Sequence, residues 1–348
     1  MTKRLWAGLD VGVESTAVCI LGEQGEIVHS ATCRTDVASV HRELLCLRRR
    51  RLRRVGLEAG IGTTLARGLR NLGYQVELYE TRQLSKFLRL RRNKTDAGDA
   101  KGIAEAGRLG AATVSRVYLK SLECQSLQSR LTIRRHFVRQ RLAAVTLLGR
   151  QLEVFGGRLK RGNLMNLRRN VELEIRRIFG TSQEEIVSQL RCLVDYCEQL
   201  IDYQRTVDRE FRKAAGEIEI CRRLMEIPGV GPLCALTFYA VVGDPDRFKR
   251  SADIGPYLGL APRIAQSGLR VRRGRISKMG NAAARKLLVS SSLAFMRWAP
   301  EDSELGSWVR AVEERRGRKR AMVALARKLS VLMLIMWKNG TSYEPRKG

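Results

Sequence analysis

The feature that most constrains this chain lies in its first hundred or so residues. Three strand-like runs there are joined by very short turns, and alternating helix and strand signals follow. Leu5 to Val11 is apolar, Ala17 to Leu21 comes after a short polar break, and Gly25 sits in a turn before Ile27-Val28. Strands linked so tightly read as an antiparallel meander. Helical spacing then runs from Val37 to Leu47, a short buried strand covers Val55-Gly56-Leu57, and Thr63 to Leu72 is helical. Gln75 to Tyr79 is another strand, and Thr95 to Leu109 is a helix rich in small residues. The order predicts a mixed α/β sheet with helices on its faces.

From Tyr118 to about Phe155 the pattern becomes one long basic helix. A polar break follows, with Gly156-Gly157 and Arg161-Gly162-Asn163, and helix resumes from Ser182 to Ala215 with Ile186, Leu190, Leu193, Val194 and Cys197 on its apolar side. Two such helices form an antiparallel hairpin or a coiled-coil dimerisation arm. Leu224 to Leu233 then leads into a small apolar helix ending at Val242. After it come a polar stretch holding Ser251, the turn Tyr257-Leu258-Gly259-Leu260-Ala261-Pro262, a basic glycine-containing loop and a helix from Asn281. The tail from Asp302 to Trp337 reads as helix with Arg315 to Arg320 in its middle. The expected division is 1–115 for the sheet domain, 116–217 for the helical arm and 218–348 for a mostly α-helical domain.

Charge narrows the function. Lys and Arg number 65 against 35 Asp and Glu, a formal net charge of +30. A hydrophobic content of 44% excludes a disordered polycation, which lacks the apolar surface to offset ordering entropy. A fold this positive requires a polyanion, nucleic acid before a membrane surface. Aromatic residues make up 6% of the chain, so a base-stacking platform is not indicated. The longest apolar run, Val331 to Trp337, falls far short of the ~20 residues a membrane span needs. The eight cysteines are scattered with no C-x-x-C pair, and Met1-Thr2-Lys3-Arg4 leads directly into a strand. Both point to reduced thiols in a cytoplasmic protein.

Against this background the acids stand out. Asp10 lies on the otherwise apolar first strand, Glu58 ends the short strand Val55-Gly56-Leu57, and Asp96 and Asp99 share one helix face. Singly, each reads as a cap or turn acid. Together, in the order strand Asp, strand-end Glu, helix Asp-x-x-Asp, they make the arrangement a ribonuclease-H-like nuclease requires. Converging carboxylates repel one another unless a divalent cation sits among them, and Mg²⁺ (or Mn²⁺) takes oxygen ligands and suits phosphate substrates. Two metals ~4 Å apart polarise a phosphodiester and activate the attacking oxygen. A rival reading takes Leu9-Asp10-Val11-Gly12 as the phosphate loop of actin-like kinases. That reading needs a second Asp-x-Gly turn on a later apolar strand, and Asp96-Ala97-Gly98 and Asp253-Ile254-Gly255 both follow polar residues.

In the last third, Ile227-Pro228-Gly229-Val230-Gly231-Pro232 looks like a helix-hairpin-helix turn, with Gly229 and Gly231 exposing N–H groups to a phosphate backbone. Arg263, Arg272, Arg273, Lys278 and Arg285, in and after the basic loop, are expected on phosphate, as are the runs Arg48 to Arg54 and Arg315 to Arg320. Ser251, Ser267 and Ser277 read alone as turn residues. A serine hydroxyl is a poor nucleophile without a base or metal, and the only histidines are His29, His41 and His136.

The succession Leu9-Asp10-Val11-Gly12, Glu58-Ala59-Gly60, Lys94-Thr95-Asp96-Ala97-Gly98-Asp99-Ala100, Ile227 to Gly231, Tyr257 to Pro262 and Ile276 to Asn281 resembles the IS-one-ten family of DEDD transposases, related to the Piv-type DNA invertases. The resemblance spans nearly the whole chain. It implies a RuvC-like (ribonuclease-H-like) domain, a coiled-coil arm and a C-terminal transposase domain with a nucleophilic serine. It also implies Mg²⁺, donor and target DNA as substrates, a bridge RNA that pairs with both, and homo-oligomers, a dimer that becomes a tetramer in the synaptic complex. The setting implied is the bacterial cytoplasm, at the nucleoid. By position, Asp10, Glu58, Asp96 and Asp99 match the acidic tetrad and Ser251 fits the serine, with Ser267 the runner-up. Where the family loop often has two serines before glycine, Gln266 here precedes Ser267. On this reading Ser251 attacks a scissile phosphate and leaves a covalent protein–DNA link. The alternatives are a metal-dependent nuclease or junction resolvase in which water attacks, and a non-catalytic architectural DNA binder.

Overall fold

Alternation along β1 (Leu5–Val11) decides what each face of the sheet meets. The computed structural model describes residues 4–45, 52–90, 95–110, 112–159, 164–180, 182–268, 270–298 and 303–345. Cys46, Arg48 to Arg51, Lys94 and the side chain of Arg273 lie outside the described residues. The chain divides into two compact units, Met1–Leu119 and Lys120–Gly348.

In the first unit β1 pairs antiparallel with β2 (Ser15–Leu21), and β2 with β3 (Ile27–Arg34), as the short turns predict. After α1 (Val37–Leu45), β4 (Leu52–Glu58) returns on the other side of β1 in parallel, with Gly8 opposite Gly56 and Leu9 opposite Leu57. Then come α2 (Thr63–Asn71), β5 (Val76–Tyr79, parallel to β4), α3 (Thr81–Leu88), α4 (Asp96–Leu109) and a short β6 (Arg116–Val117). The six-stranded sheet has the order β3-β2-β1-β4-β5-β6. Leu5, Ala7 and Leu9 join Val18, Ile20, Val55 and Leu57 in a core under α1 and α2. On the opposite face Ala17, Cys19 and Leu21 pack against Ala100 and Ala104 of α4. Helix α3 was not expected from the sequence. Its signal is local, since the Glu80 carboxylate accepts from the Gln83 N–H at 2.8 Å and Leu84 is buried.

Small residues bring α4 onto the sheet. A Cβ at Gly8 would stand 2.1 Å from the Ala100 carbonyl oxygen and 2.2 Å from the Ala104 nitrogen, so helix and strand meet backbone to backbone. Farther along the helix, a Cβ at Gly107 would stand 2.9 Å from the Tyr79 hydroxyl and 3.8 Å from the Trp6 ring. Arg108 donates to the Glu23 carbonyl oxygen in the β2–β3 turn at 3.1 Å. The C-terminal end of α4 therefore lies over the start of β1, and its first turn over the end.

The second unit is built on α5 (Leu122–Val154) and α7 (Glu184–Glu217), which run antiparallel. Leu127 and Leu131 share one core with Phe211 and Ala215, while Leu148 and Leu152 share another with Val187 and Leu190. The stretch read as a polar break contains a further helix, α6 (Leu167–Phe179). Leu167, Val171, Ile175 and Phe179 recur every fourth residue and are all buried, so the arginines around them mask an apolar stripe. After α8 (Glu219–Met225) and α9 (Pro232–Val242) come a 3₁₀ turn (Ser251–Asp253) and α10 (Ile254–Tyr257). The basic loop is in fact a β-hairpin, β7 (Pro262–Ser267) and β8 (Arg270–Ile276), followed by α11 (Ala282–Trp298). The helical tail is two helices, α12 (Glu304–Arg316) and α13 (Arg318–Asn339), broken at Gly317, whose φ of +78° ends the first. No helix among the described residues is long and apolar enough to cross a membrane.

Replacing Gly8 with Val drives a branched side chain into the α4 backbone. The expected loss is about 3 kcal/mol or more, the range of severe overpacking, read as a lowered urea midpoint for the first unit. An unchanged midpoint would mean that α4 does not rest on β1.

Candidate active site and nucleic-acid interface

Asp10 is two residues beyond Gly8 and therefore on the same face of β1. Glu58 is two residues beyond Gly56 at the end of β4, and the β1–β4 register carried one residue on from Leu9–Leu57 sets the two acids side by side. Their backbones are then ~5 Å apart, the spacing of neighbouring strands. Asp96 and Asp99 occupy the first turn of α4, just ahead of Ala100. Ala100 packs with Ala17, the β2 residue opposite Asp10. The Thr95 hydroxyl accepts from the Gly98 N–H at 3.1 Å and starts the helix there.

The topology thus brings all four acids to the carboxyl edge of β1 and β4, on the face that α4 covers. Asp10, Glu58 and Asp99 are half-buried and Asp96 is exposed. The helix dipole favours negative charge in that first turn, which gives Asp96 and Asp99 a local structural reason as well. Carboxylate oxygens are the donor type Mg²⁺ takes. As the side chains stand, however, no three His, Cys, Asp or Glu among the described residues are close enough together to hold a metal ion. The edge is assembled, but the ligand set is not closed. The kinase alternative finds no support, because Asp96-Ala97-Gly98 opens a helix and Asp253-Ile254-Gly255 lies within the 3₁₀ turn and α10.

The second unit holds the serine and most of the basic candidates. Ser251 is half-buried at the start of its 3₁₀ turn, where Arg250 bridges Asp253 at 3.0 Å. Close by in sequence, the Arg247 guanidinium lies 4.5 Å from the centre of the Phe248 ring and 4.4 Å from that of Tyr257. Ser267 ends β7 in full exposure, and Ser277 accepts from the Met279 N–H at 3.4 Å. Gly231 caps α9 and is exposed. Gly229 has φ +82°, and a Cβ there would come within 2.6 Å of the Ser291 carbonyl oxygen, so its smallness serves a close approach to α11.

Arg263, Arg272 and Lys278 are exposed along or beside the hairpin. Arg285 is half-buried instead. Its Nη1 donates to the Leu258 carbonyl oxygen at 2.9 Å and to that of Gly280 at 3.4 Å, and burial pulls its guanidinium below the usual arginine range.

Two family models match this chain in order. One described as "Transposase" covers residues 7–155, and one described as "Transposase IS116/IS110/IS902 family" covers residues 221–306. Between them the two models span about two thirds of the chain, and both are transposase models. The enzyme therefore cuts and rejoins DNA. Among curated proteins, the transposase for insertion sequence element IS1111A of Coxiella burnetii is 29% identical over 92% of this chain and 86% of its own length. The transposase for insertion sequence element IS1328 of Yersinia enterocolitica is 27% identical over 80% and 81%. A probable family 20 transposase of Pseudomonas aeruginosa is 29% identical over 84% and 86%.

Two features of the transposase escape a sequence reading. One is the stacked Arg247. The other is a backbone clasp between Tyr257–Ala261 and Ser277–Gly280. A Cβ at Gly259 would stand 2.2 Å from the Met279 carbonyl oxygen, and one at Gly280 would stand 2.2 Å from that of Tyr257. Ser277 and Lys278 N–H groups donate across to Ala261 at 2.8 Å and Gly259 at 3.2 Å. The only sequence signal is the pair of glycines at the hinge positions. Arg285→Ala removes the clamp from this clasp. It is expected to cost about 1–3 kcal/mol through the carbonyls left without their donor, and to speed hydrogen exchange at the Ser277 and Lys278 amides. Exchange as slow as in the parent protein would exclude the clamp.

Proposed function

We propose that this transposase mobilises an insertion sequence by strand transfer in which Asp10, Glu58, Asp96 and Asp99 form one catalytic acidic edge and Ser251 is the nucleophile. The first unit is then a ribonuclease-H-like (RuvC-like) domain. In its favour stand three antiparallel strands followed by two parallel ones, in the order β3-β2-β1-β4-β5, with α4 across the central strand. The observation that carries the reading is the seating of α4 on Gly8, which sets the helix's first turn, the turn that holds Asp96 and Asp99, toward the end of β1. A divalent cation, Mg²⁺ or Mn²⁺, would offset part of the charge of the four carboxylates and polarise a phosphate when bound. The acids' own part is to hold that charge next to the scissile phosphodiester. Ser251 Oγ attacks phosphorus and gives up its proton. The P–O bond to one deoxyribose oxygen breaks, and that oxygen leaves as a hydroxyl after taking up a proton. The phosphoserine link conserves the phosphodiester for transfer to a second strand.

In this account donor and target DNA are chosen by pairing with a bridge RNA, the protein grips backbone through Gly229, Gly231, Arg263, Arg273 and Lys278, and Arg272 contacts the DNA as well. The α5–α7 pair serves as a coiled-coil arm between domains 1–115 and 218–348, supporting a homodimer and then a tetramer. The protein works in the bacterial cytoplasm, on nucleoid DNA.

The acids and the serine belong to different compact units, so each half of the proposal is tested separately. Asp96→Asn is expected to lower strand cutting on the order of 10³-fold, the scale of losing several kcal/mol of phosphate stabilisation, with DNA binding kept. Ser251→Ala is expected to abolish the protein–DNA adduct seen on denaturing gels, whereas Ser267→Ala keeps it. Cutting with free ends in Ser251→Ala would instead favour attack by water. Full activity in Asp96→Asn would leave only an architectural DNA binder.

A further inference from the structure

The hairpin β7–β8 projects without a core of its own. Every residue of β7 is exposed, and so are Arg270, Val271, Arg272, Gly274 and Arg275 of β8. Ile264 and Val271, on one face, are 65% and 53% exposed, and Ala265, Ser267, Arg270 and Arg272 on the other are exposed as well, so neither face of the ribbon is covered. A bare two-stranded hairpin is only marginally stable in water. This one is held at its root, where the glycine clasp and Arg285 lock Tyr257–Ala261 to Ser277–Gly280, and where Leu258, Leu260 and Ile276 enter the core of the second unit. No Asp or Glu occurs between Asp253 and Glu301, so the arginines of the ribbon have no acid of their own segment to neutralise them.

We propose that this ribbon enters the major groove of B-form DNA and contributes base readout there, an inference that rests on the transposase reading above. Three observations select that partner. The charge calls for a polyanion. The strands, six and seven residues long, reach ~20 Å at ~3.3 Å per residue. A two-stranded ribbon fits a major groove ~12 Å wide but not a minor groove of ~6 Å. The major groove of A-form RNA is deep and narrow and excludes it as well. Register assigns the faces. Arg270 stands opposite Ser267 and Arg272 opposite Ala265, on one face, while Gln266 opposite Val271 lies on the other. The small partners leave both guanidinium forks free to extend, and a fork donates in pairs to guanine O6 and N7. Arg263, whose Nη2 donates to the Ser277 carbonyl oxygen at 3.2 Å, stays at the root, toward phosphate.

The test uses the full-length protein with a mixed-sequence DNA duplex and an RNA duplex of the same sequence. Both arginines are exposed, so the Arg270→Ala/Arg272→Ala variant should keep the parent's melting temperature and circular dichroism, and both are checked. Its DNA affinity is expected to fall ~10-fold or more with little change in the slope of log K against log salt, because contacts to bases, unlike contacts to phosphates, release no condensed counterions. RNA-duplex binding is expected to stay as in the parent. Protection of guanine N7 from dimethyl sulfate, present with the parent protein, should disappear. If N7 protection persists, if RNA binding falls equally, or if a minor-groove ligand displaces the protein, the ribbon does not read the major groove. If the parent protein itself fails to bind DNA, the underlying reading fails too. If the parent binds and the variant binds equally well, only the ribbon proposal is lost.

Discussion

The contact of α4 with β1 at Gly8 governs the first unit. Any side chain larger than hydrogen would meet the backbone at Ala100 and Ala104, so the helix settles where the strand is thinnest. That choice fixes the helix direction through Gly107 and Arg108 at one end and leaves the first turn above the end of β1 at the other. The strand alternation that buries Leu5, Ala7 and Leu9 on one side turns Asp10 to the other, the side of α4. Parallel register does the same for Glu58. One steric allowance and two period-two strands thus collect four acids that are far apart in sequence.

Like charges at one edge repel one another, and the helix dipole is a local feature that favours Asp96 and Asp99. The second unit has the opposite imbalance. Its hairpin segment carries arginines with no acid for nearly fifty residues of sequence, so its natural counter-charge is the substrate itself. Acid edge and basic ribbon are complementary ways of handling one polyanion.

Much of this was legible in the residues. Tight turns after β1 and β2 announced the meander, and Asp10, Glu58, Asp96 and Asp99 could be placed at strand ends and a helix start from the residues alone. What stayed hidden had physical reasons. Helix α6 is a narrow stripe of Leu167, Val171, Ile175 and Phe179 within an arginine-rich segment, so composition outweighed period. The hairpin shows no alternation of apolar and polar residues, because neither of its faces is buried, and its arginines therefore read as loop. Gly317 was read as part of a basic run, although its positive φ is what divides the tail into two helices. The positions of the side chains at the acidic edge depend on rotamers, which sequence spacing does not set.

The most direct measurement of the central claim is Mn²⁺ binding to the full-length protein followed by electron paramagnetic resonance, with Asp10→Asn and Asp99→Asn compared against the parent. If strand and helix deliver both carboxylates to one cation, each single substitution weakens binding about tenfold or more while the far-ultraviolet spectrum stays the same. Binding that is absent in the parent, or equal in parent and variants, would show that the acids of β1 and α4 do not act together.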